Sequence, residues 1–218
     1  MLKNVIFDIG DVLLSYRWRT VLTEAGYGPE DAREISRSIT RNPLWNQLDL
    51  GLLTHQEITE KLSELMPDRR EAITWFFQNT DHLHIGRPEI WDRVRRLKEA
   101  GYGIYLLSNY GREMYEIHAA HQPFQDYVDG AVVSFMIHAA KPDPEIYETL
   151  LGRYGLNREE CLFLDDREVN VKGAEAVGIR ALQVKSEEWL AAFLDQLLES
   201  GESAVSASRE EAASPEGT

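Results

Sequence analysis

Cysteine is all but missing from this chain: Cys161 is the only one in 218 residues. An intrachain disulfide is therefore excluded, and a reducing compartment is expected. A cationic surplus is missing too, since 23 Lys and Arg stand against 37 Asp and Glu and leave a formal net charge of −14. Little is available to neutralise a phosphate backbone or an anionic lipid surface, so neither nucleic acid nor membrane is expected as a partner. A small phosphorylated metabolite stays compatible, because a few local donors can hold it. Long apolar runs are also absent. The apolar start is broken by Lys3, Asp8 and Asp11, which makes it neither a signal peptide nor a membrane span. The expected setting is the cytoplasm.

What is present is an ordinary globular composition, 43% hydrophobic and 28% charged, at a length that suits one α/β domain with a smaller insert. From residue 88 onward helical and strand patterns alternate. Ile90, Val94 and Leu97 recur at helical spacing ahead of Gly101. Gly103 to Leu107 is a short apolar strand that stops at Ser108-Asn109. A helix over about Gly111 to Ala120 follows, then a weaker strand over Ala131 to Val133. Asp143 stands where it can cap a helix opened by Pro144. Cys161 to Leu164 runs into Asp165-Asp166, and a helix through Gly173 to Ala176, a strand from Ile179 to Val184 and a helix from Ser186 to Leu198 complete the pattern. This alternation predicts an α/β fold with a doubly wound, Rossmann-like parallel sheet.

Residues 15–83 read differently, with helical stretches and no convincing strand. Thr54 to Glu57 forms a capping box, and Ile58, Leu62 and Leu65 give the helix behind it an apolar face. The expected organisation is an α/β core over residues 1–14 and 84–200, with a helical cap over 15–83 inserted after the first strand. Such an insert sits above the crevice and can act as a lid. Residues 201–218 hold Ser, Ala, Glu, Gly and Pro215 with almost no large apolar side chain, so this acidic tail is expected to be disordered.

The chemistry starts at the first strand. Val5-Ile6-Phe7 runs straight into Asp8, and a buried apolar run has no structural reason to end on a carboxylate unless that group is paired or bound. At the C-terminal edge of a parallel sheet it points into the crevice where α/β proteins bind ligands. Ser108-Asn109, Lys141 and Asp165-Asp166 also follow apolar strands or their loops, so all four places can converge on one cavity. Adjacent acids such as Asp165-Asp166 at the end of a buried strand repel unless a cation or a proton relieves them. Taken singly, Asp8 could cap a turn, Ser108-Asn109 is an ordinary turn pair, and Lys141 could be a solvated lysine. The six histidines share no metal-ligand spacing and read as structural or exposed. Cys161 reads as a packed strand residue. Trp45, Trp75 and Phe76 read as cap core, with Trp45 the one to test for substrate contact.

Phe7-Asp8-Ile9-Gly10-Asp11-Val12-Leu13, Leu107-Ser108-Asn109, Lys141-Pro142-Asp143-Pro144 and Phe163-Leu164-Asp165-Asp166 resemble the four ordered motifs of the haloacid dehalogenase superfamily. Within it the chain most resembles bacterial sugar-phosphate phosphatases of the glucose-1-phosphatase type. Those share the glycine at the second motif position and a cap segment like Trp45-Asn46-Gln47-Leu48-Asp49-Leu50-Gly51. The resemblance implies a Mg²⁺-dependent phosphatase acting through an aspartyl phosphate. Asp8 would be nucleophile, and Asp8, the Gly10 carbonyl and Asp166 would be metal ligands, with Asp165 and Asn170 in support. Ser108 and the Asn109 N–H would hold phosphoryl oxygens, and Lys141 would offset the accumulating charge.

Gly10 keeps two other readings open. In most phosphatases of the superfamily a second acid at this position protonates the leaving alcohol, help typically worth about 10²–10⁴-fold. Glycine offers none. Asp11 is adjacent, but successive extended residues face opposite ways. Haloacid dehalogenases lack that acid too, so carbon–halogen hydrolysis is one alternative, although it requires no metal for Asp165-Asp166 to hold. A phosphonatase would need a cap lysine, and Lys61 is a weak candidate. A catalytically impaired phosphate-binding or regulatory protein is the other alternative.

Overall fold

The computed structural model describes residues 1–213. Its elements run in chain order as β1 (Asn4–Phe7), β2 (Leu14–Tyr16), α1 (Pro29–Thr40), α2 (Pro43–Asp49), α3 (His55–Leu65), α4 (Arg70–Gln78), β3 (His84–Gly86), α5 (Pro88–Glu99) and β4 (Gly103–Ser108). They continue with α6 (Arg112–His118), β5 (Gly130–Val133), α7 (Ser134–Ile137), α8 (Pro144–Tyr154), β6 (Cys161–Asp165), α9 (Glu168–Ala176), β7 (Arg180–Gln183), α10 (Glu187–Ser200) and α11 (Glu202–Ala213). The main sheet has the order β5-β4-β1-β6-β7, and every pair in it is parallel. The doubly wound α/β expectation is met. Among the described residues no helix is long and apolar enough to cross a membrane.

Strand period explains the two-sided burial. Val5 and Phe7 of β1, Ile104 and Leu106 of β4, and Leu162 and Leu164 of β6 join one core cluster. Their neighbours Ile6, Leu107, Cys161 and Phe163 join the other, with Tyr147 and Leu150 of α8 and Ala174 of α9. Alternate side chains thus pack on opposite faces, as in a sheet covered by helices on both sides. Cys161 is buried in β6 as read from the pattern. The chain winds from β1 outward through β4 and β5, then crosses back to β6 and β7, so the direction of winding reverses beside β1. That reversal opens the ligand crevice at the strands' C-terminal ends.

The stretch between β1 and α5 is mainly helical, but it holds strands that hydrophobic patterning does not show. β2 and β3 pair antiparallel, Leu14 opposite Gly86 and Tyr16 opposite His84, and so close the two ends of the insert against each other. Three-residue strands carry too little periodicity to be read. The Thr54–Glu57 capping box is present, with both reciprocal bonds made. Of the apolar face behind it, Ile58 and Leu62 are buried, whereas Leu65 in the last turn is exposed. Asp143 occupies the N-cap position of α8 but makes no side-chain cap bond.

The tail expectation is corrected over residues 202–213, which form α11. Ala204 and Val205 bury in the larger core cluster, and Glu202 pairs with Arg180 at 2.5 Å. Two small apolar side chains suffice where the receiving surface is already built, so composition alone underestimates such a helix. Residues 214–218, covered by the same expectation, lie outside the described residues.

Arg87, just ahead of α5, ties the loop after β1 to the base of the insert. It is nearly buried, and its Nη1 donates to the Asp11 and Val12 carbonyls at 2.7 and 3.0 Å. Its Nε donates to Ser15 Oγ at 2.7 Å. Arg87→Ala orphans these acceptors, and should cost about 3 kcal/mol. Urea unfolding monitored by circular dichroism checks this; a loss under about 0.5 kcal/mol, the range of ordinary surface substitutions, would contradict it.

Candidate active site

Three strands deliver the site from their C-terminal ends. β1 ends at Phe7 and hands on to Asp8, whose N–H donates to the Leu164 carbonyl of β6 at 2.9 Å. β4 ends on Ser108, and β6 ends on Asp165 with Asp166 next in the chain. Lys141 arrives from the loop between α7 and α8. Asn109 clamps that loop: its side chain donates to the Lys141 carbonyl at 2.9 Å and accepts from the Lys141 N–H at 2.8 Å.

The Lys141 ammonium is buried and uses its three donors on three acceptors. Nζ lies 2.8 Å from Asp8 Oδ1, 2.6 Å from Asp165 Oδ2 and 2.8 Å from the Leu107 carbonyl. Burial pulls its pKa down, but Asp165 and Asp8 more than reverse this and leave it above the ordinary value. Asp8 Oδ1 also accepts from Ser108 Oγ at 2.6 Å. One carboxylate oxygen of Asp8 is therefore held twice, and the other faces the cavity. Ser108, expected to hold phosphate, lines the cavity and donates to the nucleophile candidate, a charged acceptor beside it.

Asp165 and Asp166 divide sharply. Asp165 is fully buried, with Oδ1 accepting from the Arg167 N–H at 2.8 Å and from Asn170 Nδ2 at 3.0 Å, while Oδ2 meets Lys141. Asp166 lines the cavity and Asp165 does not. Carboxylate oxygens of Asp8, Asp165 and Asp166 lie within 4.8 Å of one another. Burial first, then Asp8, Asp165 and Asp11, push Asp166 up to about 7. Burial, with Asp165 adding and Lys141 opposing, pushes Asp8 up to about 6. Asn170 Oδ1 is buried with no protein partner. An all-oxygen donor set, crowded by its own negative charge and bordered by an orphaned amide oxygen, fits a hard divalent cation such as Mg²⁺. Asp8 and Asp166 present free oxygens to it.

The cavity holds about 180 Å³. All the expected site residues except Asp165 line it, and the cap supplies Trp45 and Asp49 to its wall. Tyr16, Trp18, Tyr110 and Arg167 also reach it without having been singled out in the sequence. No histidine lines it; His118, the one fully buried, bridges the Thr80 carbonyl at 2.7 Å and the Tyr110 hydroxyl at 3.2 Å. The space where a side chain on Gly10 would start is tight: a Cβ there would stand 3.1 Å from the Tyr16 ring, which would have to give by a few tenths of an ångström. Asp11 reaches the cavity wall in the left-handed region, φ +51°, with Oδ1 accepting the Tyr16 N–H at 3.3 Å.

Asp49 is the acid that strand-end reasoning passed over. It closes α2 and makes no side-chain hydrogen bond among the described residues; burial first, with Arg167 opposing and Asp8 adding, pushes it up to about 7. Its backbone is fixed to the core, since Ser134 Oγ donates to the Asp49 carbonyl at 2.5 Å. His138 Nδ1 meets the Leu50 carbonyl at 2.8 Å. Gly51 turns at φ +68°, where a Cβ would stand 3.0 Å from Phe135. The acid two residues before that glycine was the available sequence signal.

Comparison with known proteins finds a family model, described as a haloacid dehalogenase-like hydrolase, that matches residues 2–178. D-ribitol-5-phosphate phosphatase of Bacteroides thetaiotaomicron is 26% identical over 196 residues, covering 84% of this chain and 92% of that protein. A sesquiterpene phosphatase of Aspergillus oryzae is 28% identical over 186 residues, covering 84% and 89%. A crystal structure of a haloacid dehalogenase family enzyme of Bacteroides thetaiotaomicron, in complex with magnesium and inorganic phosphate, superposes with a TM-score of 0.66. It is 25% identical, over 86% of this chain and 96% of that one.

Crowded acids make a linkage prediction. Asp166 ionises at about 7 when folded against an ordinary 3.8, so the metal-free native state binds more protons than the unfolded chain between those values. Its stability then falls as pH rises through that window. Asp166→Asn should raise the melting temperature of chelated protein at pH 8, and the gain should shrink toward pH 5. Excess Mg²⁺ should favour the parent over the variant. Differential scanning calorimetry reads both effects; a variant less stable than its parent at pH 8 without metal would contradict the assignment.

Proposed function

Because the chain belongs to the haloacid dehalogenase-like hydrolase family, we propose that it is a Mg²⁺-dependent phosphomonoester hydrolase acting on a small phosphorylated metabolite, a sugar phosphate by class. The carrying observation is Asp8 itself: one oxygen is immobilised by Lys141 and Ser108, and the other opens into a cavity shared with Asp166. Asp8 is the nucleophile and forms an aspartyl phosphate, which splits one displacement into two. Asp8, the Gly10 carbonyl and Asp166, with Asp165 and Asn170 behind them, would hold Mg²⁺, which would supply charge neutralisation for the phosphoryl group. The Asn109 N–H would hold the phosphoryl oxygens, with Ser108 beside it at the cavity wall, and Lys141 keeps Asp8 ionised and oriented. A reducing compartment suits a chain whose lone cysteine is buried and unpaired.

Asp49 serves as the acid that Gly10 lacks. It lines the same cavity from the cap, and among the described residues its carboxyl makes no hydrogen bond. In the first step the Asp8 oxygen bonds phosphorus, the ester P–O bond breaks, and the leaving oxygen takes the Asp49 proton. In the second, water bonds phosphorus, the Asp8–phosphorus bond breaks, and the water proton returns to Asp49. Asp11 is less suited, since one of its oxygens already holds the Tyr16 N–H. Carbon–halogen hydrolysis would leave the Asp8, Asp165 and Asp166 cluster without a role. Relatives named D-ribitol-5-phosphate phosphatase and sesquiterpene phosphatase differ in their named substrates, so the leaving group is a matter for the cap.

A panel of phosphomonoesters should show phosphate release that requires Mg²⁺ and disappears in Asp8→Asn. Asp49→Asn should lower kcat/KM for alkyl phosphates by about 10²–10⁴-fold. The same variant should leave kcat/KM for p-nitrophenyl phosphate within about threefold, because that leaving group needs no proton and kcat/KM reports the first irreversible step. An equal loss on both esters would remove Asp49 from the acid role. Release that survives chelation would remove the metal.

A further inference from the structure

A second cavity, also about 180 Å³, lies on the cap side and shares the Trp18 wall with the first. Its lining is cationic to an unusual degree in a chain of net charge −14: Arg19, Arg33, Arg37 and Arg41 all border it. Three of them stand four residues apart at 33, 37 and 41, along one face of α1 and its C-terminal cap. Like charges at that spacing repel along a helix. Arg37 and Arg41 near the helix C-terminus complement its dipole, but that accounts for neither Arg33 nor Arg19, which comes from the segment before α1.

Carboxylates do not quench the cluster. Among the described residues only Arg33 of the four forms an ion pair, with Glu30 at 3.6 Å, and Arg19, Arg37 and Arg41 form none. Arg19 acts electrostatically on Asp11, which belongs to the first cavity, so the cationic field extends to the candidate active site. A second observation points to a ligand. Ser36 is 2% exposed, lines this cavity, and its hydroxyl has no partner. A buried, unpartnered hydroxyl in the wall of a cavity bordered by four exposed guanidinium groups is a donor set suited to a phosphate or carboxylate.

We infer that this cavity is an anion subsite that receives a second phosphate or carboxylate of the substrate while the scissile phosphate lies at Asp8. The inference rests on the phosphomonoesterase reading. It defines the substrate class as bis-anionic: a sugar bisphosphate or a phosphorylated sugar acid, lying across Trp18. Guanidinium groups around such a pocket discriminate these molecules from analogues with a single anionic group, which leave the arginines unpaired.

The test compares a hexose bisphosphate, a phosphorylated sugar acid and the matched hexose monophosphate as substrates of the full chain with Mg²⁺. Wild type should favour the first two in kcat/KM, and Arg37→Gln and Arg41→Gln should each cut that preference about tenfold, the factor of one charge-assisted hydrogen bond. The loss should fall on KM. Arg153→Gln, at an exposed arginine of α8 that lines neither cavity, should leave the preference intact. Calorimetry in an Asp8→Asn background should show the bisphosphate binding more weakly once Arg37→Gln is added. If monophosphate and bis-anions are cleaved equally well, or the arginine variants keep the preference, the subsite is overturned while the phosphatase stands. If no ester releases phosphate, the underlying reading fails first. Comparing the bisphosphate with the sugar acid shows which anion the arginines take.

Discussion

One buried ammonium organises the candidate site. Lys141 Nζ touches Asp8, Asp165 and the end of β4 at once, and its charge offsets those two acids at the sheet edge. Taking one partner out of such a buried network leaves uncompensated charge, which costs far more than a surface pair contributes. Around this point the remaining parts take fixed positions. Asn109 clamps the Lys141 loop, Asn170 and the Arg167 N–H hold Asp165, and Ser108 holds Asp8. Asp8 and Asp166 are left with oxygens toward the cavity.

That arrangement stores electrostatic strain rather than relieving it fully. One lysine stands among three carboxylates, and Asp8 and Asp166 are pushed well above their ordinary range by burial and by neighbouring carboxylates. A fold selected for stability alone would not place them so. The excess negative charge is what a divalent cation and an electron-poor phosphorus would neutralise, a trade of stability for function seen at many active sites.

The cap enters the same chemistry through its backbone anchoring. Ser134 and His138 of the core bind the Asp49 and Leu50 carbonyls, and Gly51 lets the turn close against Phe135. These contacts hold Asp49 and Trp45 at the cavity wall. Tyr16, meanwhile, fills the room beside Gly10, which gives a steric reason for glycine at that position and for an acid supplied from elsewhere. Trp18 then separates the reacting centre from the arginine-lined cavity, so the cap carries both a proton-bearing group and a cationic field.

Much of this was legible in the chain. Apolar runs ending in Asp8, Ser108 and Asp165-Asp166 identify the sheet edge, because local periodicity makes the strands and parallel winding puts their ends together. The helical character of the insert was legible for the same reason. The two short strands at its base were not, since three residues carry no readable period, nor was α11, whose Ala204 and Val205 depend on a surface made elsewhere. The sequence by itself determined the fold class, the edge and most of the residues gathered there. Only the tertiary structure decided that Asp165 is consumed by internal bonds while Asp166 is free, and that Ser108 serves Asp8. It alone brought Asp49 and the arginines of α1 to adjoining cavities. Periodicity acts between near neighbours in the chain, whereas a carboxylate's partners and pKa are set by whatever packing brings within a few ångströms.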